Sequence, residues 1–152
     1  MRSDERPSGR ILALDIGERR IGVAAADDRR RVALPIATLE PRGDPIEAVA
    51  VLVQEQQAER VIVGLPISLD GSLGPQGQRV QAFAQALAAR LGLPVETWDE
   101  RLSSVEAARR LQRVGRGRSR RGQRGGKAAI DALAAAIILQ AYLDSLPHDS
   151  DG

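Results

Sequence analysis

The segment Arg60 to Gly64 reads Arg-Val-Ile-Val-Gly, a β-branched run with no polar alternation. A strand with one wet face alternates apolar and polar side chains; a strand covered on both faces does not. The chain is therefore expected to build a sheet with helices packed on its faces. The flanking segments agree. Arg10 to Ile16 (RILALDI) is a short apolar run, Gly17 to Arg20 a turn, and Ile21 to Ala26 (IGVAAA) a returning strand, which together make a hairpin. A third strand is expected over Arg31 to Ile36, ended near Pro35.

Helix signals follow. Asp44 stands as an N-cap before Pro45 at the first helical position, with Glu47 three residues after the cap, and Ile46, Val49, Ala50 and Val53 recur at helical spacing. After a loop from Leu65 to Gly74, Pro75 opens a second helix. Its apolar stripe is Val80, Phe83, Ala84, Leu87 and Leu91, and Gly92 with Pro94 stops it. Val95 to Trp98 makes a further strand. Ser103 with Glu106 predicts a capped helix through about Arg113. A final helix from about Lys127 to Leu143 is apolar nearly all round, so it should pack against the sheet on one side and something else on another. The order β-β-β-α-β-α-β-α-α implies an α/β fold with a mixed five-stranded sheet, its first three strands antiparallel and the rest parallel, flanked by helices. At 152 residues this is one domain, expected over residues 10–146, with flexible tails at 1–9 and 147–152.

Composition narrows the chemistry. Aromatics make up 2% of the chain, so the core must come from Ala, Val, Leu and Ile. The absence of cysteine excludes disulfides and thiolate zinc sites, and a single histidine, His148, argues against a His-rich metal site or a Ser-His-Asp triad. Catalysis is left to carboxylates, hydroxyls, arginines or a metal. The first ten residues carry charges of both signs and no apolar stretch, and no apolar run approaches the ~20 residues that span a bilayer. A soluble, cytoplasmic chain without membrane attachment is expected.

Net charge is +2, but Arg109 to Lys127 holds nine basic residues and no acid, which leaves the remainder at −7. A concentrated basic segment on a mildly acidic body points to a polyanionic partner, with a solvated Arg/Gly loop as the plainer alternative.

Three acids stand out. Asp15 is the lone charge in Ile-Leu-Ala-Leu-Asp-Ile, on the strand face of Ile11 and Ala13, with Gly17 and Gly22 leaving room nearby. A carboxylate taken into an apolar layer costs several kcal/mol, on the order of the desolvation of one charge, unless it is paired or binds metal. Equally, Asp15 at a strand end can cap the turn and face water. Asp131 lies in an Ala/Leu/Ile helix; its place in the early turns suits the helix dipole, and its apolar surroundings call for a partner. Glu100, in Asp99-Glu100-Arg101, follows a strand end, where open sheets place their sites. Converging, the three would suit Mg²⁺ or Mn²⁺, hard ions that prefer oxygen ligands. Other signals are weaker. Gly64-Leu65-Pro66 lacks the Gly-Lys-Ser/Thr of a phosphate loop, Ser103 and Ser104 have no base nearby, and Trp98 reads as core.

Four segments in this order and spacing, ILALDIGERRIGVAAAD, VIVGLPISLDGS, ETWDERLSSVEA and KAAIDALAAAIILQAYLD, resemble the YqgF/RuvX family over about Arg10 to Leu143. The resemblance implies a ribonuclease-H-like fold and the activity of a Holliday-junction-resolvase-like nuclease that matures the precursor of 16S ribosomal RNA. It implies catalytic, metal-binding roles for Asp15, Glu100 and Asp131, with Asp99 in reserve, and Mg or Mn as cofactor. Nucleic-acid contacts would fall to Arg113, Arg116, Arg118, Arg120, Arg121, Arg124 and Lys127, on structured RNA or branched DNA. Cleavage of a four-way junction would further need a homodimer with paired sites. The competing expectation is a non-catalytic nucleic-acid-binding or ribosome-assembly factor on the same fold. An actin-like or sugar-kinase domain would need two lobes, for which 152 residues are too few.

Overall fold

The computed structural model describes residues 9–27, 32–103 and 126–147. Five strands form one sheet: β1 (Arg10–Ile16), β2 (Ile21–Asp27), β3 (Leu34–Leu39), β4 (Ala58–Leu65) and β5 (Val95–Asp99). Helix α1 (Pro45–Gln56) joins β3 to β4, α2 (Pro75–Leu91) joins β4 to β5, and α3 (Gly126–Ser145) is the last element. A single 3-10 turn, Glu100–Leu102, follows β5. The strand order is β3-β2-β1-β4-β5. β1 pairs antiparallel with β2, and β2 with β3; β1 pairs parallel with β4, and β4 with β5. The mixed sheet expected from the element order is the one formed.

Side-chain alternation on these strands builds two apolar layers. Leu12, Leu14, Val23, Val61 and Val63 meet Val49 and Val53 of α1 and Val80, Ala84 and Leu87 of α2. Ile11, Ala13, Ala24, Ala26 and Ile62 meet Ala134, Ala135, Ile138, Leu139, Tyr142 and Leu143 of α3. Val61, Ile62 and Val63 are wholly buried, two to one face and one to the other, which is why their run shows no polar alternation. α3 is seated across β1, β2 and β3. Ala13, Ala24 and Ala26 on the sheet and Ala134 and Ala135 on the helix leave little side-chain volume between them, so helix and sheet approach closely there.

The helix ends follow the expected chemistry. The Asp44 carboxylate accepts from the Ile46 N–H at 3.0 Å, and Gly92, at φ 70°, ends α2 by donating its N–H to the Ala88 carbonyl. Where glycine would be usual after α1, Gln57 adopts the left-handed conformation at φ 56°.

β3 departs from expectation, running over Leu34–Leu39 rather than 31–36. Pro35 does not end it; it stands opposite Ala24, beside a register shift between Val23 and Ala24. A sheet edge and a bulge are where proline's missing N–H does least harm. The helix expected from Ser103 to Arg113, the Arg/Gly segment and most of both tails lie outside the described residues. Among the described residues, no helix is long and apolar enough to cross a membrane.

Candidate active site

Asp15 lies one residue from the end of β1 and shares its face with Ile11 and Ala13, so it is directed to the α3 side of the sheet. It is half-buried. On β2 its register partner is Gly22. On β4 the last parallel pair is Leu14 with Val63, and one step further along both strands stand Asp15 and Gly64. A glycine thus flanks Asp15 on each neighbouring strand.

Each glycine clears space for a close neighbour. A methyl group at Gly22 would overlap the backbone carbonyl of Asp131, so α3 rests directly on the strand there. A methyl at Gly64 would stand 2.5 Å from Ile138 Cδ1 and 3.0 Å from Glu100 Oε2. The glycines are required by close approach, not by backbone conformation. The backbone of Asp131 therefore lies on the Gly22 side of Asp15, and the Glu100 carboxylate on the Gly64 side. All donors are carboxylate oxygens, which fits a hard divalent ion.

The acidic side chains are nevertheless not drawn into one ligand set. Among the described residues, no three such groups are close enough to hold a metal ion together. Asp131 is engaged by Arg20, whose Nε donates to Oδ2 at 2.9 Å, with the two side chains 29% and 25% exposed. Arg20 closes the β1–β2 turn, where the Gly17 N–H donates to its carbonyl at 2.8 Å. Sequence reading treated Arg19-Arg20 as turn residues only. A basic pair beside the end of an acid-bearing strand was the available signal.

Asp99 has a different occupation. Its carboxylate accepts from the Arg101 N–H at 2.9 Å, capping the 3-10 turn, and from Arg101 Nε and Nη2 at 3.1 and 2.8 Å. The Arg101 guanidinium accordingly holds the Asp99 pKa below the ordinary aspartate value. Arg101 Nη1 also donates to the Ser68 carbonyl at 3.3 Å, tying the turn to the loop after β4. That loop is closed by the Asp70 carboxylate, which accepts from the Ser72 N–H and hydroxyl at 2.9 and 2.7 Å. A cleft of about 680 Å³ runs between loop and turn, lined by Pro66, Ser68, Gln76, Glu100 and Arg101 among others.

Ser103, expected to cap a helix, donates its hydroxyl back to the Glu100 carbonyl at 3.0 Å. Trp98 is half-buried core, as expected, its ring edge-on to Tyr142 of α3 at 5.8 Å. Of the seven basic residues assigned to nucleic acid, Lys127 falls in the first turn of α3, and Arg113, Arg116, Arg118, Arg120, Arg121 and Arg124 lie outside the described residues.

The fold is of the ribonuclease-H-like class. The solved structure of T. thermophilus RuvC in complex with Holliday junction substrate superposes with a TM-score of 0.53 at 16% identity, over 90% of this chain and 97% of that one. A family model described as RuvX, Holliday junction resolvase, matches residues 9–145, and the chain belongs to that family. Curated relatives carry the name "Putative pre-16S rRNA nuclease". That from Chloroflexus aurantiacus is 46% identical, covering 93% of this chain and 97% of the relative. That from Clostridioides difficile is 42% identical, covering 90% and 94%.

Proposed function

We propose that the chain is a nuclease that hydrolyses phosphodiester bonds with Mg²⁺ or Mn²⁺ held by Asp15, Glu100 and Asp131. The observation that carries this reading is the pair of glycines beside Asp15, one cleared for the backbone of Asp131 and the other for the carboxylate of Glu100. Family membership and the names of the relatives support it, and they favour precursor 16S ribosomal RNA, or a branched duplex, as substrate.

A divalent ion bound there would lower the pKa of a water and stabilise charge on the leaving oxygen. The chain's own part is positional. Asp15, central on the sheet, would hold the cation together with Glu100 and Asp131. The apolar layer beneath Asp15 keeps bulk water from the back of the site and strengthens each charge interaction in front of it. The basic run from Arg113 to Lys127 would hold flanking phosphates through sequence-independent contacts. A cytoplasmic location fits this role, and a homodimer would be needed only for paired cuts across a junction.

The test combines metal and side chain. Cleavage should require Mg²⁺ or Mn²⁺ and cease in excess EDTA. Asp15→Asn should lower turnover by more than about a hundredfold, since even supporting residues of metal sites are worth about 10–100-fold. Glu100→Gln should lose most activity and Asp99→Asn much less, because Asp99 is committed to Arg101. Undiminished cleavage by Asp15→Asn, or in EDTA, would refute the mechanism. A second reading, a binding module without catalysis, draws on the engagement of Asp131 by Arg20. It predicts nucleic-acid binding that is indifferent to Mn²⁺ and to Asp15→Asn.

A further inference from the structure

The Arg20–Asp131 ion pair spans 111 residues of sequence and brings a permanent cation to an acid of the candidate site. Its placement is built in. Arg20 is held by the bond that closes its turn, and Asp131 by the seat of α3 on Gly22. A guanidinium does not lose its proton in a protein, so Arg20 and a divalent ion cannot both be bound to Asp131 without mutual repulsion. The bond runs through Nε to one carboxylate oxygen, and both side chains are a quarter or more exposed. A partly wet, single-pronged pair is strong enough to orient a carboxylate and weak enough to be displaced.

We propose that Arg20 is a removable counter-ion for Asp131. It holds that carboxylate while no cation is present, yields it to a divalent ion, and then offers its guanidinium to a phosphate of the bound strand. This inference rests on the carboxylate–metal reading above and adds a regulation to it. A phosphate that draws Arg20 away frees Asp131 for metal, so nucleic acid tightens metal binding. By linkage, metal tightens nucleic-acid binding by the same factor. The site would then load fully only when both are present.

The experiment titrates the full chain with Mn²⁺, following free ion by electron paramagnetic resonance, with and without a cleavage-resistant phosphorothioate oligonucleotide. Arg20→Met keeps the aliphatic stem and removes the charge. Without oligonucleotide it should bind Mn²⁺ about fivefold tighter than wild type, the scale of a partly exposed ion pair. The oligonucleotide, which should tighten Mn²⁺ binding to wild type, should have little further effect on the variant. A merely structural role predicts the opposite sign, because Asp131 would lose its anchor and metal binding would weaken. Arg20→Gln repeats the test should the Met variant fail to fold. Equal or weaker Mn²⁺ binding by a folded variant overturns the proposal, as does unchanged coupling to the oligonucleotide. Asp15→Asn separates the two ideas. Wild-type Mn²⁺ binding that survives Asp15→Asn refutes the metal site itself, whereas binding lost there but not tightened in Arg20→Met refutes only the counter-ion.

Discussion

At Gly22 and Gly64 a missing side chain shapes the site more than any present one. The two glycines face the same helix but differ in what a methyl would meet. At Gly22 it is a backbone carbonyl of α3, which can move only with the helix; at Gly64 it is the tip of Ile138 and the carboxyl end of Glu100. Gly22→Ala should therefore destabilise the protein by about 1–3 kcal/mol, the usual range for forcing volume into a packed contact. Gly64→Ala should cost less stability, because the Ile138 tip can turn aside, yet impair cleavage, because the methyl also crowds the carboxylate of Glu100, a proposed ligand. Urea unfolding and single-turnover cleavage of both variants would check this. Equal losses of stability would mean that α3 is not seated on Gly22 as described. The Asp99–Arg101 contact supplies a pH prediction. A depressed aspartate pKa contributes stability that is complete at neutral pH and is lost as pH falls through that depressed value. Asp99→Asn should thus remove part of the acid-side slope in a stability-against-pH profile and leave the neutral-to-alkaline slope unchanged.

Among the elements, α3 shows most plainly what a pattern can and cannot reveal. Its nearly uniform apolar surface announced burial but not a direction, and the direction is three strands of the sheet at once. Leu139 is fully buried in that contact, so Leu139→Ala should cost about 2–5 kcal/mol. Val51, 55% exposed on α1, should tolerate lysine within about 0.5 kcal/mol. Chemical denaturation of the two variants tests the contrast; comparable losses would place the core elsewhere. The same distinction governs what was legible beforehand. Strands whose side chains meet packed layers on both faces, β1 and β4, were recognisable because their composition answers to burial. β3 was displaced by three residues because an edge strand with a bulge answers to one neighbour only. Asp15 was legible as a charge out of place among Leu, Ala and Ile. The Arg20–Asp131 pair was not, since nothing local links residues so far apart in sequence.

For the molecule as a whole, charge and fold are separated along the chain. Seven of the nine clustered positive charges fall in Arg113 to Lys127, while the proposed ligands stand on β1, the turn after β5, and α3. Each phosphate neutralised should add roughly 0.7–0.9 to the slope of log affinity against log salt. Replacing Arg116, Arg118, Arg120 and Arg121 by Ala should flatten that slope and weaken binding to every sequence, with Mn²⁺ affinity little changed. A salt titration on one oligonucleotide decides it, and an unchanged slope would make the segment a solvated loop. The edge-on contact of Trp98 with Tyr142 has a practical consequence of another kind. The chain has one tryptophan, and its indole leans on the last helix just ahead of the turn that carries Glu100. Its emission therefore reports a single place. Release of α3 would wet the ring and move the emission to longer wavelength. Ultraviolet light alone can thus follow whether α3 stays seated on the sheet as the protein unfolds, without any attached dye.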